Sequence, residues 1–224
     1  MQTSRFWGIR LLSPTQLLCG VALLALSVPA NAQNIDTTPS WNGTSGINPW
    51  GTSGNTPTYG QTITATATQD RLTGFTFELS QQAGTAPQFQ AFVYQFNTAT
   101  HLIVGPALYA SGLVTAPSGA AFSAVTVHTG SLALAVGQQY VLFFSTAATV
   151  GQPAASYQFG QLANTTTYAG GQFVFSNSAA FASLSTVAWS VSSPNDLAFM
   201  ALLSGGNSLV TLCCRPARRS TRPM

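Results

Sequence analysis

The 224-residue chain is poor in charge: Asp, Glu, Lys and Arg make up 5% of it, against 46% hydrophobic residues. Its formal net charge of +3 comes from the two ends, because between Gln33 and Ser208 a single basic residue, Arg71, stands against four acidic ones. That body therefore carries a formal charge of −3, which excludes a basic surface for nucleic acid. It also contains no Cys, which excludes a disulfide framework and a thiolate metal site there.

The first 32 residues are typical of a secretory leader. Two arginines precede an apolar run at 17–28, and Ala30-Asn31-Ala32 is a small-x-small cleavage signal. The run is shorter than the ~20 residues of a membrane span. We therefore expect a mature chain that begins at Gln33, has no membrane span, and resides outside the cell, on its surface or in the periplasm. A retained signal anchor is the alternative.

After the leader, Gly, Thr, Ser, Asn and Pro dominate residues 33–58, which we interpret as a lead-in segment. Strand patterns begin at Tyr59. Residues 72–80 alternate with one apolar face, as in a half-buried antiparallel strand, and residues 88–96 are apolar on both faces, as in a central strand. Further strand patterns occupy 107–111, 121–129, 138–146, 157–162, 172–176, 186–191 and 196–203.

About ten short strands without an amphipathic helix predict an all-β fold. The turn signals between them include Gly137, Gly170-Gly171 and Ser193-Pro194-Asn195. We expect a single antiparallel β-sandwich, jelly-roll-like, that occupies residues 59–204.

Several short sequence segments occur in the same order as in a known group of proteins. They are TYGQTITA (58–65), LTGFTFEL (72–79), GQQYVLFFS (137–145), TYAGGQFVF (167–175) and, between 188 and 199, AW followed by DLAF. Through them the chain resembles secreted bacterial β-sandwich proteins that often carry a C-terminal PEP-CTERM sorting signal or occur as passenger modules of autotransporter-like proteins. The resemblance implies export and a sandwich fold, and it implies no particular activity.

The C-terminal segment 205–224 departs from that group, because the Pro-Glu-Pro element and the apolar span of a PEP-CTERM signal are missing. Adjacent cysteines at 213 and 214 are followed by four arginines and two prolines. We interpret the segment as a basic tail that is disordered and dispensable for folding. It is either a frameshifted or truncated ending or a genuine tail that contacts anionic surfaces.

Catalytic signatures are missing from the body. It has no G-x-S-x-G motif and no Cys nucleophile, and its two histidines, His101 and His128, have no local triad signature. Glycoside hydrolysis needs two carboxyl groups. Glu78 and Asp196 are the pair that a fold could bring together, but each is more simply a solvated or turn residue. No dense Asp/Asn loop indicates calcium. We therefore expect no enzymatic activity, no cofactor and no metal site.

Aromatic residues near loops and strand ends are the best indication of a ligand. Sugar faces stack on exposed rings, whereas buried rings would only cap the sandwich. The candidate ligand-binding residues are Trp41, Trp50, Tyr59, Tyr168 and Trp189. The leading hypothesis is a non-enzymatic surface or extracellular-matrix module; the alternative is a carbohydrate-binding module whose partners are glycans or cell-envelope polymers. Neither hypothesis defines an oligomeric state.

Overall fold

A computed structural model describes residues 34–52, 56–162, 165 and 167–205. The segments predicted as a leader, at 1–32, and as a tail, from 206 onward, lie outside the described residues. Two antiparallel sheets pack face to face without closing into a barrel, so the predicted all-β sandwich is confirmed. Within the described ranges the only helical pieces are the 3-10 turns Thr38–Ser40 and Phe181–Ser185. None of the helices found there has the length and apolarity to cross a membrane.

Fourteen strands build the two sheets. In chain order they are β1 (Ile35–Asp36), β2 (Gly46–Gly51), β3 (Thr58–Thr64), β4 (Arg71–Gly84), β5 (Gln88–Asn97), β6 (Leu102–Ala110), β7 (Val114–Thr115), β8 (Ser123–Ala133), β9 (Gln139–Ser145), β10 (Ala155–Leu162), β11 (Phe173–Ser176), β12 (Ser190–Ser192), β13 (Asp196–Leu197) and β14 (Phe199–Ser204).

The long strand β4 organises the first sheet. It pairs with β8 on one side, and on the other with β14 along its first half and with β10 along its second half. β1 lies outside β14, and β2 and β13 pair with β10. The second sheet has the order β12-β11-β3-β9-β5-β6, with the short β7 also paired to β5. All of these strand pairs are antiparallel.

The main core fills the space between the sheets, and its centre is aromatic. The apolar face predicted for β4 points inward, with Phe75 and Phe77 fully buried. Phe77 meets Phe144 of β9 edge-on, with 5.0 Å between the ring centroids, and Phe159 of β10 at 5.5 Å. Each such ring contributes about 1.5–3 kcal/mol by leaving water. Burial and sheet hydrogen bonding thus stabilise a body that has no disulfide.

A second apolar cluster covers the outer face of the second sheet. Phe92 and Phe143 point away from the main core and pack with Leu184 and Trp189, which belong to the loop around the 3-10 turn Phe181–Ser185. The indole Nε1 of Trp189 donates to the Leu184 carbonyl oxygen at 2.9 Å. This cover explains why β5 and β9 are apolar on both faces. It also corrects the strand predicted at 186–191, because only its last residues join β12.

The lead-in segment contributes two strands that the sequence patterns did not show. β1 pairs with β14, and β2 pairs with β10. Both lie at an edge of the first sheet, where Pro49 can be tolerated because a proline there removes no ladder donor. β8 also runs four residues past its predicted end, since a shift in register between Leu72 and Gly74 of β4 absorbs the extra residues.

Candidate functional site

A groove crosses the outer face of the first sheet, where β4 and β10 lie side by side. Glu78 alternates with the inward Phe77, and Gln158 alternates with the inward Phe159, so both polar side chains face outward. The groove has a volume of about 540 Å³ and is lined by Thr38, Trp41, Gly43, Thr44, Glu78, Ala120, Ala121, Phe122 and Gln158. We refer to it as the Trp41 groove.

Two glycines allow the aromatic rings of the groove to pack directly against the backbone of the sheet. A Cβ atom at Gly160 would lie 2.9 Å from Cζ2 of Trp41, and one at Gly46 would lie 2.9 Å from Cζ of Phe122. The two rings meet edge-on, with centroids 4.8 Å apart and planes at 88°. Both rings remain partly exposed. The glycines therefore let two rings rest on the backbone and present a joint apolar surface to the groove.

The orientation of Trp41 is held by the turn that follows it. Its indole Nε1 donates to the Ser45 carbonyl oxygen at 2.7 Å. The Asn42 side-chain oxygen accepts from the backbone N–H of Thr44 at 2.9 Å and from that of Ser45 at 2.8 Å. The ring is thus positioned by local hydrogen bonds before any ligand arrives, which lowers the entropy that binding would cost. The Asn42-Gly43-Thr44 sequon lies in this turn, and the sequon at 164 lies outside the described residues.

Among the residues that the structure describes, Glu78 is the only charged side chain that lines the groove. Burial raises the pKa of its half-buried carboxyl group above the ordinary value. The carboxylate can accept hydrogen bonds, and Gln158, Thr38 and Thr44 can both donate and accept. Within the described lining no second carboxylate stands beside Glu78, whereas a glycosidase uses a pair of carboxyl groups.

Three of the five candidate aromatic residues are buried in the structure. Trp50 is 0% exposed, Trp189 is 2% exposed and Tyr59 is 3% exposed. Trp50 packs edge-on with Phe89 at 5.5 Å in the main core, and Trp189 belongs to the outer cluster. The structure therefore gives none of these three rings an exposed face on which a sugar could stack.

Tyr168 is partly buried and lies outside the Trp41 groove. Its hydroxyl oxygen accepts from the backbone N–H of Thr64 at 3.0 Å, and its ring packs against Phe199 with centroids 6.1 Å apart. Burial raises the pKa of this phenol, and the nearby Asp196 raises it further. Tyr168 thus fastens a loop to β3, and Trp41 alone of the five candidates lies in the groove.

Asp196 is fully buried, which corrects its assignment as a solvated or turn residue. Its Oδ1 accepts from Gln61 Nε2 at 2.9 Å, and its Oδ2 accepts from the backbone N–H groups of Thr167 and Tyr168 at 2.8 Å each. Gln61 Oε1 in turn accepts from the N–H of Leu197 at 3.0 Å. Because Asp196 is enclosed in this network while Glu78 faces the outer groove, the structure does not bring the two carboxyl groups together.

The two histidines occupy separate places. His101 lies in the turn after β5 with a positive φ of 54°, and its ring stacks on Phe96 with centroids 6.5 Å apart. His128 is exposed on β8, opposite Gly74 of β4. Among the residues that the structure describes, no group of three His, Cys, Asp or Glu side chains is placed to hold a metal ion.

Comparison with known proteins identifies no family for the chain. No protein-family model matches the chain, and no curated protein matches it. Among the solved structures similar to it are the cysteine protease and lectin-like domains of Cwp84, a surface layer associated protein of Clostridium difficile, with 10% sequence identity and a TM-score of 0.43. The match covers 66% of this chain and 32% of that one. The chain thus spans about a third of that protein, and a likeness this distant carries no inference about activity.

Proposed function

We propose that the chain is an exported, non-enzymatic module of the cell surface or extracellular matrix that binds carbohydrate in the Trp41 groove. The secretory leader and the resemblance to secreted PEP-CTERM-associated and passenger-type β-sandwich proteins support the location. The observation that carries the binding function is the preformed pair of rings, Trp41 and Phe122, beside one carboxylate and one amide.

The chemistry of the groove matches the two sides of a sugar ring. The C–H groups of a pyranose form an apolar face that packs on an aromatic ring, while its hydroxyl groups need donors and acceptors around the rim. Trp41 and Phe122 supply the apolar surface, and Glu78, Gln158 and Thr44 supply the polar contacts. Ligand sites commonly combine an apolar lining with a few such placed polar groups.

Binding without cleavage follows from the same lining. Hydrolysis by either glycosidase geometry needs a second carboxyl group across the scissile bond, and Glu78 is the one carboxylate that the described residues place in the Trp41 groove. A bound glycan would therefore be released unchanged.

The test is a glycan array probed with the chain from Gln33 onward, followed by calorimetry with a glycan that binds. Trp41→Ala should weaken binding at least about tenfold, which corresponds to about 1.4 kcal/mol. Glu78→Gln should also weaken it, because the ligand loses a charge-assisted hydrogen bond. Val187→Ala is the matched control: this side chain is 50% exposed and lies in the loop that covers the opposite sheet.

Three outcomes would contradict the proposal. If the wild type binds no glycan, the carbohydrate-binding function is wrong. If Trp41→Ala binds as tightly as Val187→Ala, the groove is not the site. If the bound glycan is cleaved and the cleavage disappears in Glu78→Gln, the protein is an enzyme.

A further inference from the structure

The edges of the two sheets differ in how well they are protected. An exposed edge presents unpaired N–H and C=O groups to other chains, and proteins usually block it with charges, prolines, bulges or shortness. β1, β7, β12 and β13 are only two or three residues long. β2 contains Pro49 and a register shift opposite Tyr157. β6 contains Pro106 and bulges between its paired ends, Val104 and Tyr109.

β8 carries none of the charges or prolines that protect an edge. Its eleven residues, SAVTVHTGSLA, include no Asp, Glu, Lys, Arg or Pro. It pairs with β4 along one side only, and among residues 34–205 as far as they are described no strand pairs with its other side. The register shift between β8 and β4 lies after His128, between the pairs Gly74–His128 and Leu72–Leu132. The stretch from Ser123 to His128 therefore keeps an unbroken register with β4. This stretch contains no Asp, Glu, Lys or Arg and, among the described strands, has no partner on its outer side.

We propose that β8 pairs antiparallel with β8 of a second copy of this chain, so that the two first sheets join into one continuous sheet. Most soluble homo-oligomers are closed by a two-fold axis, at which one surface patch meets itself. β8 suits that symmetry. In a register centred on Thr126, each Ala124 faces the partner's His128 and Thr126 faces its own counterpart. No like charges meet at any position of the ladder, because β8 has no carboxylate, ammonium or guanidinium group.

The exposure of β8 agrees with this role. Its outward residues Ala124, Thr126 and His128 are all exposed, whereas nearly all of β9 and most of β10 are buried. β6, the adjacent edge of the second sheet, contacts β8 and exposes Val104 and Leu108, at 42% and 39%. An approaching copy would thus meet a neutral ladder flanked by apolar side chains rather than a charged surface.

The test measures the mass of the chain from Gln33 onward by light scattering over a range of concentrations. We expect a dimer in the wild type. Thr126→Lys and Thr126→Glu should each halve the apparent mass, because two like charges would face each other across the axis. An equimolar mixture of the two variants should restore the dimer. Ser190→Lys, on the exposed short edge β12, is the control and should remain dimeric.

Folding of the variants can be checked separately. Thr126 is exposed, and its hydroxyl shares an exposed hydrogen bond of 2.8 Å with that of Thr76, so the melting temperature should change little. A wild type that stays monomeric at every concentration overturns the proposal. A dimer that persists in Thr126→Lys overturns it as well. The outcome is independent of carbohydrate binding, which the groove variants test.

Discussion

Replacement of Asp196 by Ala should destabilise the protein strongly. Three donors now reach its carboxyl group: Gln61 Nε2 at 2.9 Å, and the N–H groups of Thr167 and Tyr168 at 2.8 Å each. Without the carboxyl group all three lose their acceptor, and a buried donor left unsatisfied costs about 1–3 kcal/mol. Two of the bonds are only part-buried, so water can replace part of the loss. We expect a decrease in the free energy of unfolding of about 3–6 kcal/mol, a large share of the ~5–15 kcal/mol of a typical domain.

Urea unfolding followed by tryptophan fluorescence would measure this loss. Asp36→Ala is the matched control, since Asp36 is exposed and also accepts two hydrogen bonds, from the backbone N–H and the hydroxyl of Thr38. That exposed substitution should cost no more than about 1 kcal/mol. If Asp196→Ala lost as little as Asp36→Ala, the reasoning that buried unpaired donors dominate the cost at this site would be refuted.

Three further predictions concern single side chains. Burial raises the pKa of Glu78, so the folded state holds this proton more tightly than the unfolded chain does. The free energy of unfolding should therefore fall as the pH rises through that pKa. Urea midpoints measured from about pH 4 to 7 should show this decrease in the wild type and not in Glu78→Gln. Burial raises the pKa of Tyr59 to about 12, and Tyr59→Phe should remove the component near that pH from the phenolate absorbance titration. Gly160→Ala should displace Trp41 from the sheet, because the new Cβ atom would lie 2.9 Å from both the indole and Ala198. Glycan binding should therefore weaken. The control Gly112→Ala, which has no atom near its Cβ position, should leave binding unchanged.

The regular strands could be predicted from sequence because apolar and polar residues alternate along them, as buried and exposed side chains do in a strand. β4 was expected at 72–80 and runs from Arg71 to Gly84, since Phe75, Phe77 and Leu79 alternate with polar residues. β1 and β2 could not be predicted in this way. Their sequences, ID and GINPWG, show no alternation, and they become strands only because β14 and β10 offer them an edge to pair with.

The candidate site illustrates the same division. Trp41 and Trp50 look alike in sequence, each within a segment rich in Gly, Asn and Ser, yet one lines the groove and the other is 0% exposed. Both rings lie against β10 of the first sheet, and the face of that sheet decides the difference: Trp41 rests over Gly160 on the outer face, whereas Trp50 belongs to the main core. Phe122 and Gln158 were missed because they meet only when β10 lies beside the segment before β8. Gly160 did carry a signal, because a glycine within an apolar strand marks a close approach to the backbone.

The adjacency of β1 and β14 determines how the domain would carry a mechanical load. Ile35 pairs with Ala201, and the N–H of Leu203 donates to Asn34 at 3.3 Å, so both ends of the described domain leave from one corner. Tension applied between the two ends would peel β1 from β14 one bond at a time, which needs little force. Tension between a tethered C-terminal end and a polymer held in the Trp41 groove would instead shear β14 along β4, where the pairs from Phe199–Phe77 to Ser204–Arg71 must break together. The domain would therefore hold a load more firmly between its C-terminal end and its ligand than between its own two ends.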